Sequence, residues 1–271
     1  MVDLDKPPES AKTISFVHHK GGTGKTTACL NIAGWLSKMD KKVLVTDLDP
    51  QGNATTGLGI ERKSVDYSMY DVLFGGKKMQ DIILETSCGV HLAPSSIDLL
   101  AAETHLAGMP NQTALLKKHL GDIEKYYDYI LIDLPPGSTM LMINGIIAAE
   151  KIIIPLDAGV FAYETMETLR ILLRDISKEL HVDVNIMCIL LREDPVVSLS
   201  LFPLEDPARE IRKLLKEFLS TYCTEVPEIF MIPYSHKIYK SQKKGIPISH
   251  YAPWSNIGRT YKRIAKEVVN Y

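Results

Sequence analysis

The apolar residues of the chain fall into short continuous runs that are separated by amphipathic stretches. Runs rich in Ile, Val and Leu are typical of strands buried on both faces of a parallel sheet, with right-handed helical crossovers between them. The runs are Thr13–His18, Lys42–Thr46, Tyr129–Ile132, Lys151–Leu156, Asn185–Leu191, Ile229–Ile232 and Ile246–Ile248.

Helical periodicity is clearest in two of the intervening stretches. Thr26–Met39 repeats apolar residues at helical spacing after the first predicted strand, and so does Asn256–Val269 near the end of the chain. We expect the apolar side of the last helix to pack on the core. The pattern predicts an α/β fold in one domain, residues 12–271, with a doubly wound, mostly parallel sheet and helices on both faces. Residues 1–11 are polar and contain two prolines, and we expect a flexible segment there.

Composition narrows the class of protein. The chain has 271 residues, of which 45% are hydrophobic and 24% charged, as in an ordinary globular protein. No apolar run reaches the ~18–20 residues of a membrane-spanning helix, and the N-terminus does not resemble a signal peptide, so we expect a cytoplasmic protein. The cysteines are far apart and include no Cys-x-x-Cys pair, which disfavours a zinc site, an iron–sulfur site and a disulfide framework. They are Cys29, Cys88, Cys188 and Cys223.

Charge is distributed unevenly along the chain. The net charge is −2, but residues 236–271 carry eight bases and one acid, giving +7, and the remainder is −9. Such an asymmetry indicates an anionic partner near the C-terminal end. Four of the bases lie close together, namely Lys237, Lys240, Lys243 and Lys244.

The first predicted strand runs directly into a glycine-rich segment, which the first predicted helix follows. This order is the context of a P-loop, in which glycines let backbone N–H groups turn towards phosphate oxygens and the helix start adds its positive dipole end. Lys25 can neutralise phosphate charge, and the Thr26 hydroxyl can face Mg²⁺. The segment therefore predicts a site for ATP and Mg²⁺. The expected binding residues are Gly21, Gly22, Thr23, Gly24, Lys25, Thr26 and Thr27.

Acidic residues follow the second and third predicted strands. Asp47 and Asp49 come after one run, and Asp133 ends the other. Ligands of parallel sheets bind outside the carboxyl ends of the strands, so we expect these acids to face the phosphate loop. Carboxylates suit Mg²⁺ and can also position or deprotonate water.

These segments resemble known ATPases. Lys20-Gly-Gly-Thr-Gly-Lys-Thr-Thr27, with His19 in place of the usual first glycine, is similar to the deviant Walker A motif of the ParA/MinD family, most closely its ParA (Soj-like) partition ATPases. The segment from Asp47 to Thr55 is similar to that family's switch I. The match extends over most of the chain.

Further segments resemble the same family. Ile130–Gly137 is similar to its Walker B and switch II, and the Ile-Pro-Tyr and Gly-Ile-Pro segments around residues 232–247 are similar to its Ile-Pro … Gly-x-Pro block. The resemblance is weakest at residues 69–111 and 191–226. There, Arg192-Glu-Asp-Pro stands where many ParA proteins have a small polar residue, so the role of residues 192–207 stays open.

The resemblance implies roles for individual residues. Lys20 would reach across a nucleotide-sandwich homodimer to the partner's ATP and act with Lys25, and Asp49 would orient the attacking water. Asp47 would support the loop and the metal shell, and Asp133 would hold Mg²⁺ through a water. The implied Mg²⁺ residues are Thr26, Asp49 and Asp133, and further nucleotide contacts are Gly137 at the γ-phosphate and Pro233 and Tyr234 beside the adenine.

The resemblance also implies a function. A ParA-type protein would form an ATP-dependent dimer that binds DNA non-specifically through its basic segment, would be associated with the nucleoid, and would hydrolyse ATP slowly until a ParB-like protein stimulates it. The alternative is a MinD-like or other cargo-positioning or regulatory ATPase that does not act on DNA. The last helix lacks the bulky apolar stripe of a membrane-targeting helix, which disfavours a MinD-like tail. An electron-donating relative would need paired cysteines, which the sequence lacks.

Overall fold

The computed structural model describes residues 10–106, 108–109, 111–158, 162–193, 207–222 and 227–271. The predicted flexible segment therefore lies almost wholly outside the described residues, as do Cys223 and most of the stretch 192–207. The single-domain division at residue 12 stays a prediction. None of the helices within the described ranges is long and apolar enough to cross a membrane.

One eight-stranded sheet forms the centre of the described chain, in the order β3-β4-β2-β5-β1-β6-β7-β8. Neighbouring strands run parallel, except that the edge strand β3 is antiparallel to β4. The strands are β1 (Lys12–Phe16), β2 (Val43–Asp47), β3 (Leu84–Glu85), β4 (His91–Ala93), β5 (Tyr129–Asp133), β6 (Lys151–Asp157), β7 (Ile186–Arg192) and β8 (Glu228–Ile232).

Helices connect the strands and cover the sheet. They are α1 (Lys25–Ser37), α2 (Asn53–Gly57), α3 (Met69–Leu73), α4 (Met79–Ile82), α5 (Ala102–Leu106), α6 (Leu115–Gly121), α7 (Met140–Ala148), α8 (Ala162–Leu180), α9 (Pro207–Tyr222), α10 (His236–Lys243), α11 (Ile248–Tyr251) and α12 (Asn256–Asn270). Short 3₁₀ turns occupy Arg62–Ser64, Ile97–Ala101 and Glu124–Tyr126.

Two apolar clusters lie on opposite faces of the sheet. Alternate residues of β5 divide between them, because successive side chains of a strand point to opposite faces: Ile130 and Ile132 join one cluster, and Leu131 joins the other. Helices α7, α8 and α9 supply the first cluster, and α1 and α12 supply the second. The predicted doubly wound arrangement with helices on both faces is thus confirmed.

Most of the predicted elements are present. Six of the seven apolar runs are strands, and both predicted helices form within two residues of their expected bounds. The apolar side of α12 is buried as expected, and it consists of Ile257, Tyr261, Ile264, Ala265 and Val268. The short strands β3 and β4 were not predicted.

The run Ile246–Ile248 was wrongly predicted to be a strand. Pro247 has no N–H to give to a sheet and instead precedes α11. The Ile248 N–H donates to Oδ1 of Asn31 in α1 at 2.6 Å, and the Asn31 amide nitrogen donates to the Thr27 carbonyl at 2.7 Å. The Pro247 ring also packs closely on the backbone of α1, because a Cβ on Gly34 would lie 2.5 Å from Cβ of Pro247. The segment is therefore docked on α1 rather than on the sheet.

We expect Asn31→Ala to lower the free energy of unfolding by about 1–3 kcal/mol, because the Ile248 N–H would stay buried without an acceptor. Urea denaturation measures this change. Asn270→Ala at an exposed position is the matched control and should change stability by less than ~0.5 kcal/mol. Equal unfolding midpoints for the two variants would show that Asn31 does not hold this segment.

Candidate functional site

The glycine-rich loop lies at the middle of the sheet, where β1 ends between β5 and β6. Gly22 and Gly24 adopt φ of 76° and 100°, in the left-handed region that favours glycine. Gly24 is the N-cap residue of α1 and has no side chain that could accept from the first N–H groups of the helix. The first N–H groups of a 13-residue helix therefore face the loop, which is the arrangement that binds phosphate.

Lys25 is buried in the loop, with 6% of its surface exposed. Its Nζ donates to the His18 carbonyl at 3.1 Å and to the Lys20 carbonyl at 3.2 Å. Burial lowers the pKa of Lys25, and the carboxylates of Asp133 and Asp49 oppose that shift. The ammonium is thus held within the loop beside two acids.

Asp47 and Asp133 occupy equivalent positions at the ends of adjacent strands. They are in register in the β2–β5 pair, and both are fully buried. Burial, and then the charge of Asp47, raise the pKa of Asp133 well above its usual range. Neither carboxylate oxygen of Asp133 makes a hydrogen bond of ordinary geometry with the described residues, although the nearby Thr26 hydroxyl opposes the rise in its pKa. A buried carboxylate with so few donors fits a cation or its bound water, so the acid suits the Mg²⁺ that the sequence predicts.

Asp47 is hydrogen-bonded, unlike Asp133. Its carboxylate accepts the Asp49 N–H at 3.2 Å, and also the Thr55 N–H and hydroxyl, both at 2.8 Å. Burial raises its pKa to about 6 in spite of these bonds. Asp47 therefore fixes the segment between β2 and α2, as expected. Asp49, 7% exposed, accepts the Gln51 N–H at 2.9 Å and lies beside the phosphate loop.

Two predicted nucleotide contacts are engaged within the chain. The Lys20 Nζ donates to Oγ1 of Thr165 in α8 at 3.0 Å. The Gly137 N–H, predicted to face a γ-phosphate, donates instead to the His19 carbonyl at 2.7 Å, with Gly137 at φ 93°. The Gly137 N–H has one proton and must leave His19 before it can donate to a phosphate, whereas the Lys20 ammonium has two further N–H groups.

Two adjoining clefts run along the loop. The larger has a volume of about 490 Å³ and is lined by Asp49 and by every predicted loop residue except Thr23. The smaller, about 230 Å³, is lined by Thr23, Pro233 and Tyr234, with the Tyr234 ring half exposed at its rim. The residues common to both clefts are Gly24, Thr27, Arg192 and Gln242. A larger polar cleft joined to a narrower one suits a phosphate chain continued by a nucleoside.

The four predicted DNA-binding lysines lie on α10 and its C-cap, and all are exposed. At ~100° per residue they fall within a sector of about 120°. Ser241, on another side of the helix, is buried. We call α10 with Lys244 the lysine helix.

Three residues of the site were not predicted. The Ser95 hydroxyl donates to the Asp49 carbonyl at 2.5 Å, and the Ser95 N–H donates to the Thr55 hydroxyl at 3.1 Å. Arg192 ends β7 with Nε 2.7 Å from Oδ1 of Asp157. Gln242 donates to the Thr27 hydroxyl at 2.9 Å. Ser95 follows β4, so the strand-end argument would have found it if that strand had been recognised.

Comparisons with known proteins agree with this geometry. A family model described as an AAA domain matches residues 11–186. The chain is 34% identical to the sporulation initiation inhibitor protein Soj of Bacillus subtilis, over 95% of this chain and 98% of Soj. It is 32% identical to the chromosome-partitioning ATPase Soj of Treponema pallidum, over 95% and 97%.

A solved structure has a fold similar to that of this chain. The septum site-determining protein MinD of Pyrococcus horikoshii, complexed with Mg-ADP, superposes with a TM-score of 0.74 at 25% identity, covering 95% of this chain and 96% of MinD. Together with the two Soj relatives and the family model, this likeness spans the strands and loops that form the candidate site. The chain therefore belongs to the ParA/MinD family of P-loop ATPases, among the Soj-like partition ATPases.

Proposed function

We propose that this protein is a ParA-type partition ATPase that binds Mg-ATP between the phosphate loop and the acidic strand ends. The observation that carries the proposal is the position of Lys25, which is buried in the phosphate loop near Asp133 and Asp49 and lines an open cleft together with Asp49. A chromosome-partitioning relative of nearly the same length supports the same function. ATP would lie in the larger cleft, with its base towards Pro233 and Tyr234.

The metal would be held by Thr26, Asp49 and Asp133, the last through a water. Mg²⁺ would neutralise charge on the β- and γ-phosphates. Asp49 would position the attacking water. Asp47 would keep Asp49 in place by accepting the hydrogen bond from the Asp49 N–H. Lys25 would exchange its two carbonyl partners for phosphate oxygens.

Lys20 is proposed to complete the site of a second copy of the chain in an ATP-dependent homodimer. A lysine that acts across a dimer stabilises charge on the transferring phosphoryl group, so a lone subunit would turn over slowly. Lys20 would exchange its bond to Thr165 for contacts with the second copy. A ParB-like partner would accelerate hydrolysis. The Gly137 N–H would donate to the γ-phosphate after its bond to the His19 carbonyl breaks.

The lysine helix is proposed to bind the DNA backbone, which would associate the protein with the nucleoid. Contact with phosphates needs exposed cations on one side of an element and no base-reading group. A MinD-like function on a membrane is the alternative. The apolar side of α12 is occupied by the core, so no observation on this helix favours that alternative.

Replacing Lys25 by Ala should weaken ATP binding by about a hundredfold or more, because charge-assisted hydrogen bonds to phosphate contribute ~1.5–3 kcal/mol each. Titration with a fluorescent ATP analogue measures the loss. Lys178→Ala, at an exposed site on α8, is the charge-matched control and should bind like the wild type. Wild-type affinity in the Lys25 variant would refute the assignment of the loop.

Asp49→Ala should slow hydrolysis by about a hundredfold or more while ATP still binds, because a positioned carboxylate contributes ~10²–10⁴ to such a step. The variant should accumulate as a dimer when ATP is added. Size exclusion with light scattering and a phosphate-release assay measure both effects, with Asp122→Ala as the exposed control. A variant that stays monomeric with saturating ATP would contradict the role of Asp49.

Replacing all four lysines of the lysine helix by Ala should reduce the slope of log affinity for DNA against log salt by about 3–4, since each phosphate contact contributes ~0.9. Fluorescence anisotropy with random-sequence duplex and a non-hydrolysable ATP analogue provides the measurement. An equal loss of charge elsewhere is the control, made at Lys117, Lys118, Lys125 and Lys178. If both quadruple variants bind alike, the lysine helix is not the DNA surface; binding to anionic vesicles instead would favour the membrane alternative.

A further inference from the structure

The lysine helix is hydrogen-bonded to the phosphate loop through one side chain. Gln242 lies away from the lysines, and its Nε2 donates to Oγ1 of Thr27 at 2.9 Å across 215 positions of the sequence. Thr27 is in the first turn of α1, and both residues line the two clefts. A helix whose outer side carries the proposed DNA contacts therefore touches the proposed nucleotide site directly.

The chemistry of a hydroxyl makes this contact sensitive to phosphate. A hydroxyl has one proton to donate and two lone pairs to accept with. Thr27 accepts from Gln242, and no hydrogen bond donated by its hydroxyl is found among the described residues. Its proton is therefore available to a phosphate oxygen. Hydrogen bonds in such a chain polarise one another, so an anion that accepts from Thr27 strengthens the bond from Gln242.

A second contact joins the end of the lysine helix to the segment that follows α2, on the side of the site where Asp47 and Asp49 lie. Gly245 and Gly59 pack backbone to backbone: a Cβ on Gly245 would lie 2.5 Å from Cα of Gly59, and φ is positive at both, 65° and 84°. Gly59 closely follows α2, whose Thr56 and Gly57 line the larger cleft. The helix is thus anchored at the phosphate loop and next to the segment that Asp47 fixes.

Because the lysine helix is short, its order depends on these two contacts. Its helical part, α10, has eight residues, and isolated helices below ~12–15 residues are marginal in water, so its order depends on tertiary contacts. Ser241 is its one buried residue, and Ile238 packs against the core only in part. Loss or gain of one anchoring hydrogen bond therefore changes how often the helix is intact.

We propose that Gln242 is a positioning residue that transmits phosphate occupancy to the lysine helix. With ATP bound, the chain Gln242–Thr27–phosphate orders the helix and holds its four lysines in one array. Without nucleotide, the chain lacks its terminal acceptor and the helix is less firmly held. This inference rests on the proposed function, because it supplies the link between that function's two sites within a single subunit.

Hydrogen–deuterium exchange on peptides spanning residues 236–245 tests the link without DNA. The full-length wild type is compared with Gln242→Met, which keeps the side-chain volume and removes the amide, and with Gln80→Met at an exposed position as the control. Mg²⁺ with a non-hydrolysable ATP analogue should slow exchange in the wild type and in the control. Protection by nucleotide in Gln242→Met should be about three- to tenfold smaller, the effect of one hydrogen bond. Equal protection in all three proteins would overturn the inference, because a packing role alone is retained by Met.

DNA binding provides the second readout. Each protein is first titrated with the analogue, and DNA affinity is then measured with the nucleotide site saturated and again without nucleotide. The gain in DNA affinity caused by nucleotide should fall about three- to tenfold in Gln242→Met. A full gain in that variant would overturn the role of Gln242 and leave the proposed function standing. Absence of any gain in the wild type would instead remove the DNA part of the proposed function, and the exchange experiment would still decide on the link.

Discussion

Two buried carboxylates at neighbouring strand ends set the requirements for the rest of the site. Asp47 and Asp133 are in register on β2 and β5, and neither is exposed. A charge moved out of water costs several kcal/mol unless hydrogen bonds or an opposite charge offset the loss. The two acids meet this cost differently. Asp47 is satisfied by the N–H and hydroxyl groups of the loop that it orders, whereas Asp133 has the Thr26 hydroxyl and the Lys25 ammonium nearby but no hydrogen bond of ordinary geometry among the described residues.

This difference divides the site into a framework and a part that responds to ligand. The framework contains Asp47, Thr55 and Ser95, which hold the backbone of Asp49 from two sides. The responsive part contains groups that make internal bonds which phosphate and Mg²⁺ would replace. Lys25 and Lys20 belong to it, and so does the Gly137 N–H. Because each group already has a partner, a bound nucleotide would exchange some of these hydrogen bonds for others.

The sheet gives these groups a fixed frame. Its central strands are buried on both faces and keep the strand ends fixed relative to each other. The lysine helix lies beside this frame, with a single side chain hydrogen-bonded to the phosphate loop and a glycine contact beside α2. A stiff sheet with a short helix anchored at the phosphate loop suits the link between phosphate and lysine helix that we propose.

The sequence by itself determined the α/β fold and the chemistry of the loop, because both depend on local patterns. Continuous apolar runs specify buried strands, glycines between strand and helix specify a phosphate cradle, and acids after strands lie at the same edge of a parallel sheet. The sequence did not predict β4, because its three residues form no recognisable apolar run. It also did not predict that Ile246–Ile248 docks on α1, because the hydrogen-bond partner of this segment is an asparagine in that helix. The sequence also did not predict the contact between Gln242 and Thr27. Nor did it predict the hydrogen-bond partners that Lys20 and Gly137 have within the chain. Those contacts join residues up to 215 positions apart, and only the tertiary packing of helices on the sheet decides which distant polar groups meet.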